Sequence, residues 1–122
     1  MKRYEEFSQD GKNFIYIDFS GIKKITEFEN LITVLKPLIA KYPKNSIHMI
    51  NNIEDIRFDS KSKEIMIEYA EHNKPYIKYV VVIGLDGIKK IMIKNIFEII
   101  GRDNVHFAFS KEKAIEWLLE RD

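Results

Sequence analysis

Short apolar segments alternate with longer segments of helical period along this chain, and this alternation limits the folds open to it. The apolar runs at residues 46–53 and 76–84 are predicted strands, and the second holds four consecutive β-branched residues at 80–83. A helical pattern at residues 60–72 lies between them. Parallel neighbours need a crossover, which is usually a helix, so the pattern predicts a mostly parallel sheet with residues 76–84 near its centre.

The start of the chain predicts a hairpin and a first helix. Asp10-Gly11 separates strand-like runs at residues 3–8 and 13–19, which is typical of a tight antiparallel turn. Thr26 and Glu29 have the spacing of a capping box, and apolar residues then recur at helical period as far as residue 42. Pro37 lies inside this pattern, so we expect a kink or a break near residues 33–37.

The end of the chain predicts two more helices and a short strand. Asp86-Gly87-Ile88 begins a helix that Gly101 ends, residues 104–109 form a strand, and Ser110 caps a final helix. The predicted fold is α/β, with a mixed, mostly parallel sheet of about five strands, an antiparallel N-terminal hairpin and four helices. With 45% hydrophobic residues in 122, the chain is expected to form one domain over residues 1–122.

Charge and composition narrow the classes of partner. The 20 Lys and Arg residues against 19 Asp and Glu give a formal charge of +1, so no nucleic-acid partner is predicted. No cysteine is present, which excludes a disulfide framework. The basic Met1-Lys2-Arg3 leads into charged residues rather than an apolar run, and residues 79–85 are too few to cross a bilayer. We therefore expect a cytoplasmic protein with no stable membrane insertion.

The segment before the second helix is the first candidate site. Ser60 lies where a strand's exit loop becomes a helix, and a phosphate is stabilised there by free N–H groups and the helix dipole. A phosphoserine would add negative charge beside Asp55 and Asp59, with Lys61 and Lys63 as candidate partners. The alternative is that Ser60 serves only as a helix N-cap.

The turn after the apolar strand is the second candidate site. Gly84 and Gly87 flank Asp86, and Lys89 and Lys90 follow in the first helical turns. Such a turn lets backbone N–H groups approach a phosphate or carboxylate, although the sequence matches neither a dinucleotide fingerprint nor a Walker loop. The alternative is a tight turn with solvated lysines.

The sequence contains no motif that is typical of a metal-binding site or of a catalytic site. The three histidines are scattered over the predicted elements, and the four acidic residues expected near one edge of the sheet lack the spacing of a known cation loop. No nucleophile, base and acid can be assembled from the loops by spacing. The sequence therefore predicts no cofactor, no metal and no enzyme activity. The residues considered were His48, His72, His106, Glu54, Asp55, Asp59 and Asp86.

The order of predicted elements and two segments resemble the STAS domain family, typified by bacterial anti-sigma factor antagonists. Phe58-Asp59-Ser60 is similar to the family's phosphorylation segment, although Lys61 stands where the family usually has a small residue. Residues 73–78 and 82–90 look more like the small SpoIIAA-like or STAS/SEC14-like proteins. The resemblance spans residues 12–120 and implies a non-enzymatic module that docks on a protein partner, such as a kinase or an anti-sigma-like regulator.

Two functional hypotheses follow, one for each candidate site. The first is a signalling module whose partner docks near Ser60 and is switched by phosphorylation. The second is a carrier or sensor that holds an anionic or lipid-like ligand between residues 84–90 and neighbouring helices. A homodimer is a further expectation, because apolar residues of the third helix could leave an exposed patch. The predicted core stripe of that helix comprises Ile88, Ile91, Met92, Ile96 and Ile99, widened by Ile93, Phe97 and Ile100.

Overall fold

Five strands form one sheet in chain order in the computed structural model, which describes residues 2–121. Met1 and Asp122, the end residues of the predicted domain, lie outside this range. The strands are β1 (Tyr4–Gln9), β2 (Lys12–Asp18), β3 (Ile47–Asn52), β4 (Ile77–Ile83) and β5 (Val105–Ala108). β1 and β2 are antiparallel, and the other neighbours are parallel. The predicted fold class is confirmed.

The hairpin turn has the backbone that its sequence predicts. Asp10 and Gly11 both have positive φ, at 51° and 75°, and Gln9 pairs directly with Lys12. Two successive residues in this conformation match the right-handed twist of the strands that they join. The register of β1 on β2 follows from this two-residue loop.

Four helices cover the two faces of the sheet. They are α1 (Ile25–Ile39), α2 (Ser60–Asn73), α3 (Gly87–Ile99) and α4 (Lys111–Leu119). Residues of α1, α2 and α3 share one apolar cluster with one face, whereas Ala114 and Leu118 of α4 pack with Phe14, Ile50 and Val81 on the other. Because the strand order rises steadily, right-handed crossovers put the first three helices on the same face.

The start and middle of α1 differ from the prediction. Its N-cap is Lys24, which makes no side-chain capping bond, and Thr26 already lies within the helix. Pro37 lies inside the helix, which continues to Ile39, so the predicted break is wrong. Pro37 leaves the carbonyl of Thr33 without its usual donor, but it lies near the end of the helix and on its exposed side.

Candidate functional site

The loops that leave β2, β3 and β4 are hydrogen-bonded to one another at the carboxyl edge of the sheet. The N–H of Phe19 donates to the carbonyl of Asn52 at 2.8 Å, and the N–H of Gly21 donates to that of Glu54 at 2.9 Å. The N–H of Ile53 donates to Ile83 at 3.0 Å. Parallel strands bring these loops to one edge, as in other open α/β sheets, so both predicted candidate sites lie on it.

Ser60 is the first residue of α2 and is exposed, but it is not the N-cap. Asp59 holds that position: its Oδ1 accepts from the N–H of Ser62 at 3.0 Å, and the Oγ of Ser62 accepts from the N–H of Asp59 at 2.9 Å. The Ser62 N–H, and after it Arg57, lower the pKa of Asp59. The cap predicted for Ser60 is therefore corrected to Asp59, and the Ser60 hydroxyl makes no capping bond.

The other charged residues predicted around Ser60 have partners of their own. Asp55 forms an ion pair with Lys23 at 2.8 Å, and this bond lowers its pKa, with a smaller contribution from Lys89. Lys61 lies 4.0 Å from a carboxylate oxygen of Glu64, and Lys63 donates to the Oδ1 of Asn95 at 3.0 Å. These lysines therefore point at neighbouring side chains rather than at the Ser60 hydroxyl.

The second candidate site is a tight turn packed on the loop after β3. Gly84 has a φ of +83°, and a Cβ added there would lie 2.6 Å from the backbone nitrogen of Glu54. Asp86 is the N-cap of α3 and accepts from the N–H of Lys89 at 2.9 Å. Gly87 faces open space. The Nζ of Lys90 lies 5.2 Å from the ring centre of Phe107.

A shallow, charged depression lies beside this turn. It is lined by Glu54, Asp55, Gly84, Leu85, Asp86, Lys89, Ala108 and Phe109. Only one of its charged groups is basic, so the depression is not suited to an anion. The ligand predicted between residues 84–90 and the neighbouring helices would lie in this depression, and that site stays a prediction.

The core face of α3 differs from the predicted stripe. Ile93, Ile96 and Ile100 are buried, whereas Ile88 and Ile91 are 75% and 70% exposed. Ile99 and Phe109, at 53% and 100%, are exposed as well. The helix carries apolar residues at helical spacing on two faces, and only tertiary packing selects the one that covers the sheet. Ile93 and Ile100, which were expected only to widen the stripe, therefore form part of the buried face together with Ile96.

An apolar cavity of about 70 Å³ lies between the sheet and the helices α2 and α3. A single water needs roughly 10–15 Å³ of such volume, so this cavity admits more than one small group. Its lining includes Met49, Asn51, Val80 and Val82 of the sheet, Met66, Tyr69, Ala70 and Asn73 of α2, Ile93, Ile96 and Phe97 of α3, and Arg102.

Two buried polar atoms in this lining make no hydrogen bond within residues 2–121. They are the Oδ1 of Asn51 and the hydroxyl of Tyr69. Tyr69 is 6% exposed, and burial raises its pKa. Asn73 lies near enough to oppose this rise in part, but no hydrogen bond of normal geometry joins the two. A buried polar group without a partner costs about 1–3 kcal/mol, so these atoms favour an occupant with polar character.

The sequence could not distinguish this cavity from a filled core. Met66 and Tyr69 of α2 are buried and Ala70 is half-buried, as expected for the inward face of any amphipathic helix. The one available signal is Asn51, a polar residue that follows four buried residues in a central strand. The histidines do not converge, and the part of the chain that the structure describes has no group of three potential metal ligands. None of the helices described there has the length and hydropathy needed to span a bilayer.

Comparison with known proteins identifies the fold. A crystal structure of an uncharacterized protein of the DUF3478 family from Shewanella loihica PV-4, described as having a SpoIIAA-like fold, superposes with a TM-score of 0.71. The match covers 94% of this chain and 91% of that one at 12% sequence identity. The chain has a SpoIIAA-like fold. The resemblance stated from the sequence is thus confirmed at the level of the fold.

The other comparisons add no relative. No family model and no curated protein matches the chain. At 12% identity the SpoIIAA-like fold says nothing about which ligand or partner this chain binds.

Proposed function

We propose that this protein is a non-enzymatic, cytoplasmic binding module that holds a small, largely apolar ligand with a polar group between the sheet and the helices α2 and α3. The apolar cavity with its two unpartnered polar atoms is the observation that supports this function. Apolar walls with a few convergent polar groups are the usual character of small-molecule sites. The ligand hypothesis drawn from the sequence is kept, but its place moves from residues 84–90 to the interior.

The helices that bound the cavity are joined across their outer surface by polar bonds. The Nζ of Lys63 on α2 donates to Asn95 on α3, and the Nζ of Lys74 donates to the carbonyl of Ile100 at 2.7 Å. The first of these bonds joins exposed side chains, which contributes little to stability, about 0–1 kcal/mol, and the second is a single, partly buried bond to a backbone carbonyl. A ligand longer than the cavity can therefore enter if α3 moves away from α2 and these two bonds open.

Thermal unfolding in the presence of ligands tests the proposal. The panel comprises fatty acids, long-chain alcohols, nucleotides and inorganic phosphate. A ligand at 100 times its dissociation constant stabilises the folded state by about 2.7 kcal/mol, so the aliphatic members should raise the melting temperature. Nucleotides and phosphate should not. The proposal is wrong if no aliphatic compound shifts the transition.

A variant that fills the cavity identifies the binding place. Ala70 lines the cavity, so Ala70→Leu should occupy its space and abolish the ligand-induced shift. Ala40, which is exposed at the end of α1, offers a matched control. Ala40→Leu should respond to ligand as the wild type does. Equal responses from the two variants would mean that the ligand binds elsewhere.

A second candidate function is docking of a protein partner at the start of α2. The observation that favours it is the exposed Ser60 at the first position of that helix, on the edge where the loops meet. A phosphate there would lie beside the carboxylate of Asp59, and it would change the charge of the surface without disturbing a capping bond of Ser60 itself.

Affinity capture with the wild type and three variants tests this second function. Partners retained by the wild type should bind Ser60→Ala and lose affinity for Ser60→Asp. Ser8, an exposed residue of β1, provides the control Ser8→Asp, which should bind as the wild type does. Unchanged retention by Ser60→Asp would contradict a switch at this residue.

A further inference from the structure

Arg102 lies at one end of the cavity and is fixed there by the backbone around it. Gly101, with a φ of +71°, turns the chain after α3, and the N–H of Arg102 then donates to the carbonyl of Phe97 at 2.9 Å. The Nη1 of Arg102 donates to the carbonyl of Ile77 at 3.3 Å and to Asn104 at 2.9 Å, and its Nη2 donates to the carbonyl of Lys74. The guanidinium is therefore held against the first residue of β4.

This guanidinium has no carboxylate partner within residues 2–121. It is partly buried, and burial lowers its pKa, an effect that the neighbouring Asp103 opposes. Neutral carbonyl and amide oxygens are its only hydrogen-bond acceptors. A cation in a largely apolar lining gains most from an anion, because their attraction is strong where water is excluded.

Two N–H groups of Arg102 remain free to bind such an anion. The guanidinium has five N–H groups, and the three hydrogen bonds use both on Nη1 and one on Nη2. The Nε–H and the second Nη2–H are left. Two donors on one guanidinium fit the two oxygens of a carboxylate, which accepts from both at once.

The rest of the lining is apolar and suits an aliphatic chain once α3 has moved away from α2, because the closed cavity of about 70 Å³ is smaller than such a chain. Along β4 it extends from Ile77, where Arg102 is bound, through Val80 to Val82. Five residue steps in a strand span about 16 Å, which is long enough for the extended chain of decanoate. Asn51 and Tyr69 also line the cavity, but both are uncharged, so Arg102 is the charged residue of this lining.

We propose that the ligand is an aliphatic carboxylate, with its head group on Arg102 and its chain along β4. This inference rests on the proposed function. It adds the chemical class of the ligand, which the cavity alone does not give.

Decanoate and 1-decanol, measured separately by calorimetric titration below their aggregation limits, test the class of the head group. The wild type should bind decanoate at least tenfold more tightly than decanol. Arg102→Gln should lose at least tenfold in decanoate affinity and keep its affinity for decanol, so that the ratio falls to about one. Arg102→Lys should retain part of the preference. Arg121→Gln, on the opposite face of the sheet, should keep the wild-type ratio.

The ratio of decanoate affinity to decanol affinity also separates a local effect of a substitution from misfolding, because partial unfolding of a variant reduces both affinities together. Equal binding of the two compounds by the wild type overturns the carboxylate assignment and leaves the apolar cavity as the site. An unchanged ratio in Arg102→Gln overturns the role of Arg102. If neither compound binds the wild type, the proposed function itself fails.

Discussion

Gly84→Ala should destabilise the protein by about 2–5 kcal/mol, because two separate penalties apply at this residue. A side chain at a positive φ costs about 1–2 kcal/mol, and the φ of Gly84 is +83°. The added Cβ would also lie 2.6 Å from the nitrogen of Glu54 and 2.7 Å from the Oδ1 of Asn52. These two atoms form a hydrogen bond of 3.1 Å, and forced overpacking adds about 1–3 kcal/mol.

Urea unfolding of two glycine variants measures this difference. Gly87 is the matched control: it lies three residues further on, at the first position of α3, and its Cβ would meet no atom within 4 Å. Gly87→Ala should be neutral or stabilising by up to about 1 kcal/mol. For 122 residues, the loss in Gly84→Ala corresponds to a melting temperature lower by about 8–20 °C. Equal stability of Gly84→Ala and the wild type would refute the close packing of this turn on the loop after β3.

Three further predictions concern pH, capping and self-association. Burial lowers the pKa of His48 below its ordinary 6.5, and the nearby carbonyl of Asn13 opposes this in part. As the pH falls through 6.5, the unfolded state therefore binds more protons than the folded state, so the free energy of unfolding should decrease between pH 7 and pH 5. In urea titrations at several pH values, His48→Phe should reduce this dependence on pH. Because Asp59 is the N-cap of α2, Asp59→Ala should lower the free energy of unfolding by about 1 kcal/mol in the same assay, whereas Ser60→Ala should lower it by a few tenths. The reverse order would contradict the assignment of Asp59 as the cap. If the exposed face of α3 mediates a homodimer, Ile91→Glu should shift sedimentation to the monomer without loss of stability, and an unchanged dimer would exclude this face.

The architecture was predictable because its signals repeat along the chain. The β-branched run at residues 80–83 specifies a buried strand, and the Asp10-Gly11 turn specifies the hairpin. Crossover length then favours parallel pairing, so the fold class follows from local patterns and chain connectivity. The prediction of the N-cap of α2 failed because two adjacent residues are equally suited to that position. Asp59 and Ser60 are both favourable N-caps, and only the backbone at the loop exit selects the first.

The candidate site was less predictable, because it depends on how side chains from distant segments meet. The apolar residues of α3 recur on two faces, so their spacing could not show that Ile93 and not Ile91 lies in the core. A cavity is a shortage of side-chain volume between elements, and hydrophobic periodicity carries no information about volume. Arg102 could not be predicted as a residue of the site, because no motif surrounds it in the sequence and its position depends on the turn at Gly101.

Methyl NMR on protein labelled at methionine and isoleucine tests the ligand site most directly. Met49, Met66 and Ile93 line the cavity, whereas Ile88 and Ile91 face solvent on the outer side of α3. During a titration with decanoate, we expect saturable shifts of the methyl groups of Met49, Met66 and Ile93 and no comparable shift for Ile88 and Ile91. Shifts confined to Ile88 and Ile91, or no shifts at all, would contradict an interior binding site.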